Sequence, residues 1–123
     1  MSATVLRISH NGNVFVNNPH WTLGIGLDGK VIGEVLRYHT RYAVSEQLTG
    51  PEVQFIFQTA DAMSRQFPPV EQHLNHHHDD VCIQGGEPGK VLYRYIVPPE
   101  EQRHESIAEF FTILNKVVDR YGS

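Results

Sequence analysis

Apolar positions in the first third of the chain recur at every second residue. Residues 4–9 and 13–16 are short apolar-rich runs joined through Asn11-Gly12, a dipeptide whose positions both tolerate positive φ, and the pattern predicts a β-hairpin. Over residues 22–27, Leu23, Ile25 and Leu27 fall on one face and Thr22, Gly24 and Gly26 on the other, after which Asp28-Gly29 supplies a second hairpin turn into Val31. Residues 31–48 fit two periods. Ile32, Leu36, Tyr38, Tyr42 and Val44 suit a strand face, whereas Ile32, Val35, Leu36, His39, Tyr42 and Ala43 suit a helical stripe. The β-branched and aromatic residues at the start of this stretch favour a strand to about Tyr42.

From Pro51 the period lengthens. Val53, Ile56, Phe57, Ala60, Met63 and Phe67 recur at helical spacing, with Pro51 in the first turn and Pro68-Pro69 as the stop, which predicts an amphipathic helix. A further short helix over residues 70–77 would turn Val70 and Leu74 inward. Residues 81–84 read as a short strand, 85–89 as a loop and 90–97 as a strand ended by Pro98-Pro99. A C-terminal helix follows, with Pro99, Glu100 and Glu101 in its first turn. Ile107, Phe110, Phe111, Leu114, Val117, Val118 and Tyr121 form its stripe and Gly122 its C-cap. Together these elements predict an α+β fold, an antiparallel sheet of five or six strands with two main helices packed on one face, as a single domain over residues 1–123. Exposed edges on a small antiparallel sheet further predict a homo-oligomer.

Composition narrows the functional classes. A chain of 123 residues with 40% hydrophobic and 20% charged positions has the material for one core. The net charge is −4 and the ten Lys and Arg residues are scattered, which argues against general nucleic-acid binding. No apolar stretch approaches the roughly 20 residues of a membrane span, and the first residues lack a basic segment followed by an apolar one, so neither a membrane association nor a signal peptide is expected. Cys82 is the lone cysteine, consistent with a reducing, cytoplasmic address.

The chemically dense stretch is His73, His76, His77, His78, Asp79 and Asp80. On a helix, His73 and His77 lie one turn apart on one face, a spacing that can place two imidazoles on zinc or another transition metal, with Asp80 as a third ligand. A metal site commonly draws three or four ligands from different parts of a fold, and His20, His39 and His104 are the distant candidates. The plainer reading is a solvated helix end whose imidazolium forms suit the negative pole of the dipole. A third reading makes His76 and His77 an acid–base pair flanked by Glu71 and Asp79, with no metal.

The stretch from Glu71 to Asp79 also resembles the helix-end signature of the pterin-4a-carbinolamine dehydratases, in which a glutamate-bearing helix runs into paired histidines. The order of elements that follows, two strands and a C-terminal helix, is similar too. The resemblance implies a dehydratase in which His76 and His77 transfer protons and Glu71 or Asp79 orients them. His78 stands where that family has proline, and Pro98-Pro99 where it has a third histidine. His104, the nearest substitute, precedes the C-terminal apolar stripe and suits packing.

Other features have structural explanations. Gly24 and Gly26 suit close packing, Gly85, Gly86 and Gly89 a turn without phosphate-loop context, and Cys82 a small buried position. His20-Trp21-Thr22 suits a pocket mouth, with Trp21 a core or interface anchor. The leading functional expectation is a small binding protein, an accessory, assembly or inhibitory factor that meets a protein partner or small-molecule ligand through an oligomeric surface.

Overall fold

A computed structural model describes residues 4–13, 18–71, 78–87 and 89–122. Its strands are β1 (Thr4–His10), β2 (His20–Gly26), β3 (Lys30–Arg37), β4 (Thr40–Gln47), β5 (Val81–Glu87) and β6 (Lys90–Val97). Its helices are α1 (Gly50–Met63), the single turn α2 (Pro99–Gln102) and α3 (Ala108–Val118). The six strands form one antiparallel sheet in the order β4-β3-β2-β1-β5-β6. The chain meanders from the centre to the β4 edge, and α1 then returns it so that β5 lies along the other side of β1. The fold is the expected α+β arrangement, with helices packed against the sheet.

Alternation along the strands sorts the sheet into two faces. Tyr95, Ile83, Ile8, Leu23 and Val44 lie on one face in register across β6, β5, β1, β2 and β4, and all are buried. They join Ile56, Ala60 and Met63 of α1 and Phe110, Leu114 and Val117 of α3 in one apolar cluster. Burial pushes the Tyr95 phenol well above the ordinary tyrosine range, so it donates as a neutral hydroxyl to Ala60 O at 2.6 Å. The α1 helix begins as Thr49 accepts from Glu52 N while the Glu52 carboxylate accepts from Thr49 N, a reciprocal cap that satisfies two otherwise orphaned donors.

Several expectations are corrected. Both sides of β1 are taken by β2 and β5, and residues 14–16 of the expected hairpin partner lie outside the described residues. Gly12 is needed for a different reason: a Cβ there would lie 2.2 Å from Pro19 O. The strand expected to run to Tyr42 is broken at Tyr38 and His39, whose φ values of 46° and 67° make the hairpin turn between β3 and β4. Such a turn favours Asn and Gly, and neither is present, so periodicity alone could not find it. Asp28-Gly29 does form its predicted turn, with Gly29 at φ 85°.

Residues 72–77 of the helix expected from Val70 lie outside the described residues; at its start Pro69 bridges Tyr95, and Val70 N donates to Arg94 O at 2.9 Å. Consecutive prolines hold the chain extended there. The strand expected over residues 81–84 continues through Gly85 and Gly86, where a bulge stands in place of the predicted loop. The C-terminal helix is split at residues 103–107, and at the end of α2 the Gln102 side chain donates through Nε2 to Val97 O and Asp79 O. His104 is exposed and bonds Ser106 instead of packing.

Both sheet edges are partly covered. Residues 69–70 lie along β6, and at β4 the Tyr121 hydroxyl accepts from Ser45 N at 3.0 Å beside the Arg120–Glu46 ion pair. Arg37, only 4% exposed, donates to Tyr121 O and Val118 O and so ties the end of β3 to the C-terminal end of α3. Among the described residues no helix is long and apolar enough to cross a membrane.

Candidate functional site

The β1–β5 ladder continues past the strands and fixes the end of the histidine run. Asn11 N donates to Asp80 O at 3.1 Å and Asp79 N to Asn11 O at 2.7 Å. Asp79, at φ 66°, presents its Oδ1 to His10 Nε2 at 3.2 Å and to Asn18 Nδ2 at 2.8 Å. His10 Nδ1 lies 2.8 Å from Pro19 O, and its ring stacks on Trp21 at 5.6 Å. Gln102 Nε2 closes the junction from α2 by donating to Asp79 O at 2.7 Å. A groove of 620 Å³ runs from here along α3 past Arg103, Phe111 and Asn115.

The chemistry available to His10 follows from its partners. Its two ring nitrogens face Pro19 O and Asp79 Oδ1, so the imidazole is engaged on both sides within the junction. In this arrangement His10 fastens the β1–β2 connection to the turn before β5. It is a positioning group in a polar junction.

The second concavity lies on the sheet face that the helices leave open. Arg7, Ser9, Thr22, Glu34, Leu36 and Arg41 line a groove of 380 Å³, with His10, Asn11, His20 and Trp21 at one end. Thr22 Oγ1 donates to Ser9 Oγ at 3.4 Å, and Arg41 Nε lies 3.6 Å from Glu34 Oε2. Burial lowers the His20 imidazole below its ordinary 6.5, and the nearby His10 and His78 push it the same way against a backbone hydrogen bond involving His10.

The predicted residues separate. His73, His76 and His77 lie outside the described residues. Asp79 is drawn into the His10–Asn18 junction. Asp80 is 5% exposed at the entry to β5, His78 is exposed, and Glu71 is exposed with its carbonyl accepting from the Arg94 guanidinium. Among the described residues no three His, Cys, Asp or Glu side chains are grouped to hold a metal. Cys82 is buried as expected, on the open face between Ser9 and Ile96 in register.

Sequence reasoning missed His10, Asn18 and Arg7. The signal for His10 was present: it occupies the inward position after Leu6 and Ile8, where an apolar residue belongs. Trp21 is buried as a core anchor, while its neighbours His20 and Thr22 line the open groove, in keeping with a pocket mouth. No family model matches the chain, and neither a curated protein nor a solved structure does.

Proposed function

We propose that the chain is a small binding protein, an accessory, assembly or inhibitory factor, that engages an acidic segment of a protein partner through the open face of its sheet. The observation that carries this reading is a division of charge. Strand alternation sets Arg7, Arg41 and Arg94, with Lys30 at the end of β3, on the open face against Glu34. The helices behind the sheet carry Glu52, Asp61, Glu100, Glu101 and Glu109 against Lys116, in a chain of net charge −4. Ile32 and Leu92, 48% and 62% exposed, add apolar surface among the cations.

A partner of opposite charge fits this face better than a second copy, since self-pairing would set the arginines against themselves. The covering at β4 and β6 likewise moves any homo-oligomer away from edge pairing. A cytoplasmic address suits the single cysteine.

The test uses a fluorescent peptide of alternating glutamate and leucine. Saturable binding at low salt that weakens as salt rises, and is lost in an Arg7→Glu, Arg94→Glu double variant, is the expected result. Absence of binding at low salt, or binding indifferent to the two substitutions, contradicts the reading. Turnover of a 4a-hydroxytetrahydropterin that disappears in His77→Ala would replace it with the acid–base alternative.

A further inference from the structure

Within the open face, one position stands apart from the other arginines. Arg7 lies on β1, beside Gly24 on one side and Gln84 on the other. Among the described residues its guanidinium enters no ion pair, whereas Arg37, Arg41, Arg65 and Arg120 each do. Arg94 is held by Gln84 Oε1 and the Glu71 carbonyl. Gly24 offers no side chain to cover Arg7.

We infer that the 380 Å³ groove beside Arg7 is an oxyanion pocket, in which the Arg7 guanidinium takes a carboxylate or phosphate group on the partner above the hydrogen-bonded Ser9–Thr22 pair. This rests on the open face being the binding surface and names the group that surface recognises. Arginine presents a planar fork of donors that matches two oxygens of either anion. Ser9 and Thr22 are opposite one another in register, and both are short, so the floor stays below the level of the arginines. Glu34 is the carboxylate among the lining residues, and Arg41 offsets it at 3.6 Å. The volume exceeds that of a lone oxyanion and leaves room for the chain that carries it.

A second observation marks the same end of the face. Tyr38 and His39, both at positive φ, form the turn between Leu36 and Arg41, which line the groove. Non-glycine residues kept in this conformation cost free energy and concentrate near ligand clamps. Tyr38, 56% exposed, is available to a bound segment from there.

The experiment is an amide-resolved NMR titration of the full chain with inorganic phosphate, and separately with acetate, at ionic strength held constant with chloride. The inference predicts saturable shifts at Arg7, Ser9 and Thr22 with phosphate, acetate or both, and the anion that saturates at lower concentration identifies the group. Arg7→Gln should weaken binding roughly tenfold, Arg41→Gln should weaken it less, and Arg65→Gln, on the helix side, should leave it unchanged. Unchanged melting temperatures would show that all three variants fold. Shifts no larger than chloride produces, shifts confined to the His10–Gln102 junction, or full binding by Arg7→Gln would overturn the pocket. If the pocket fails while the acidic peptide still binds the open face, the wider reading stands. If the peptide fails as well, both fall.

Discussion

Arg7 and Ile8 are neighbours in one central strand, and they answer to opposite requirements. Ile8 points to the helices, fully buried in a row with Leu23 and Ile83, while Arg7 points the other way onto a face that, among the described residues, has no helix over it. The closed face is held by burial of apolar area, whose contribution grows with every methylene removed from water. Exposed positions of the open face, such as Arg7, Ile32 and Arg41, contribute little by burial, so their composition is free to serve recognition. Under the proposed reading, stability and recognition would be carried by alternate residues of the same strands, so that each could be disturbed without the other.

The sharpest way to break that comparison is to truncate both neighbours. Ile8→Ala should cost about 2–5 kcal/mol in chemical unfolding, through lost burial and the cavity left behind. Arg7→Ala should stay within about 0.5 kcal/mol. Equal losses would mean that the open face is structural too. Next in size is the turn between β3 and β4. Replacing Tyr38-His39 by Asn-Gly should stabilise the fold by roughly 1–2 kcal/mol, because both positions already hold positive φ. The same variant should bind the acidic peptide less well if the strained turn serves the groove, and unchanged affinity would assign the strain no role there.

A smaller effect is expected on the closed side. Tyr95→Phe removes the hydroxyl that reaches Ala60 O but keeps the ring, and should cost about 0.5–1.5 kcal/mol. The smallest concerns the β4 edge. Hydrogen bonds from Tyr121 and then Arg120 hold the Glu46 carboxyl below its ordinary 4.5. A depressed acid contributes stability above its unfolded pKa and loses it as pH falls through the folded value. The gap in melting temperature between wild type and Tyr121→Phe should therefore be widest near neutrality and shrink as the medium is acidified below pH 4.5. A gap independent of pH would remove Glu46 from the account of that edge.

Periodicity made much of the closed face legible, because burial is written into the sequence as a repeat. Leu23 and Ile25 in β2, Ile56, Ala60 and Met63 in α1, and the α3 stripe are all found by spacing alone. What periodicity could not find depends on contacts made at long range. The Tyr38-His39 turn lacks the residues that usually announce one. The Gln102 side chain, just before the break that precedes α3, bonds to Asp79, 23 residues away in sequence. The His10–Asp79 pairing spans 69 positions and joins a strand end to the histidine run. That run drew attention by its density, yet the part described acts through Asp79 as an anchor for His10. The open face was harder still, since its cations are dispersed in sequence and meet only through strand order.

The central claim is that the helix-free face is where a partner docks. Amide shifts of the isotopically labelled protein, recorded during titration with the glutamate–leucine peptide at low salt, test it most directly. The account predicts that the perturbed amides cluster on Arg7, Ser9, Thr22, Ile32 and Arg41 and fade as salt is added. Perturbations gathered on α1 and α3, or along the His10–Gln102 junction, would contradict it.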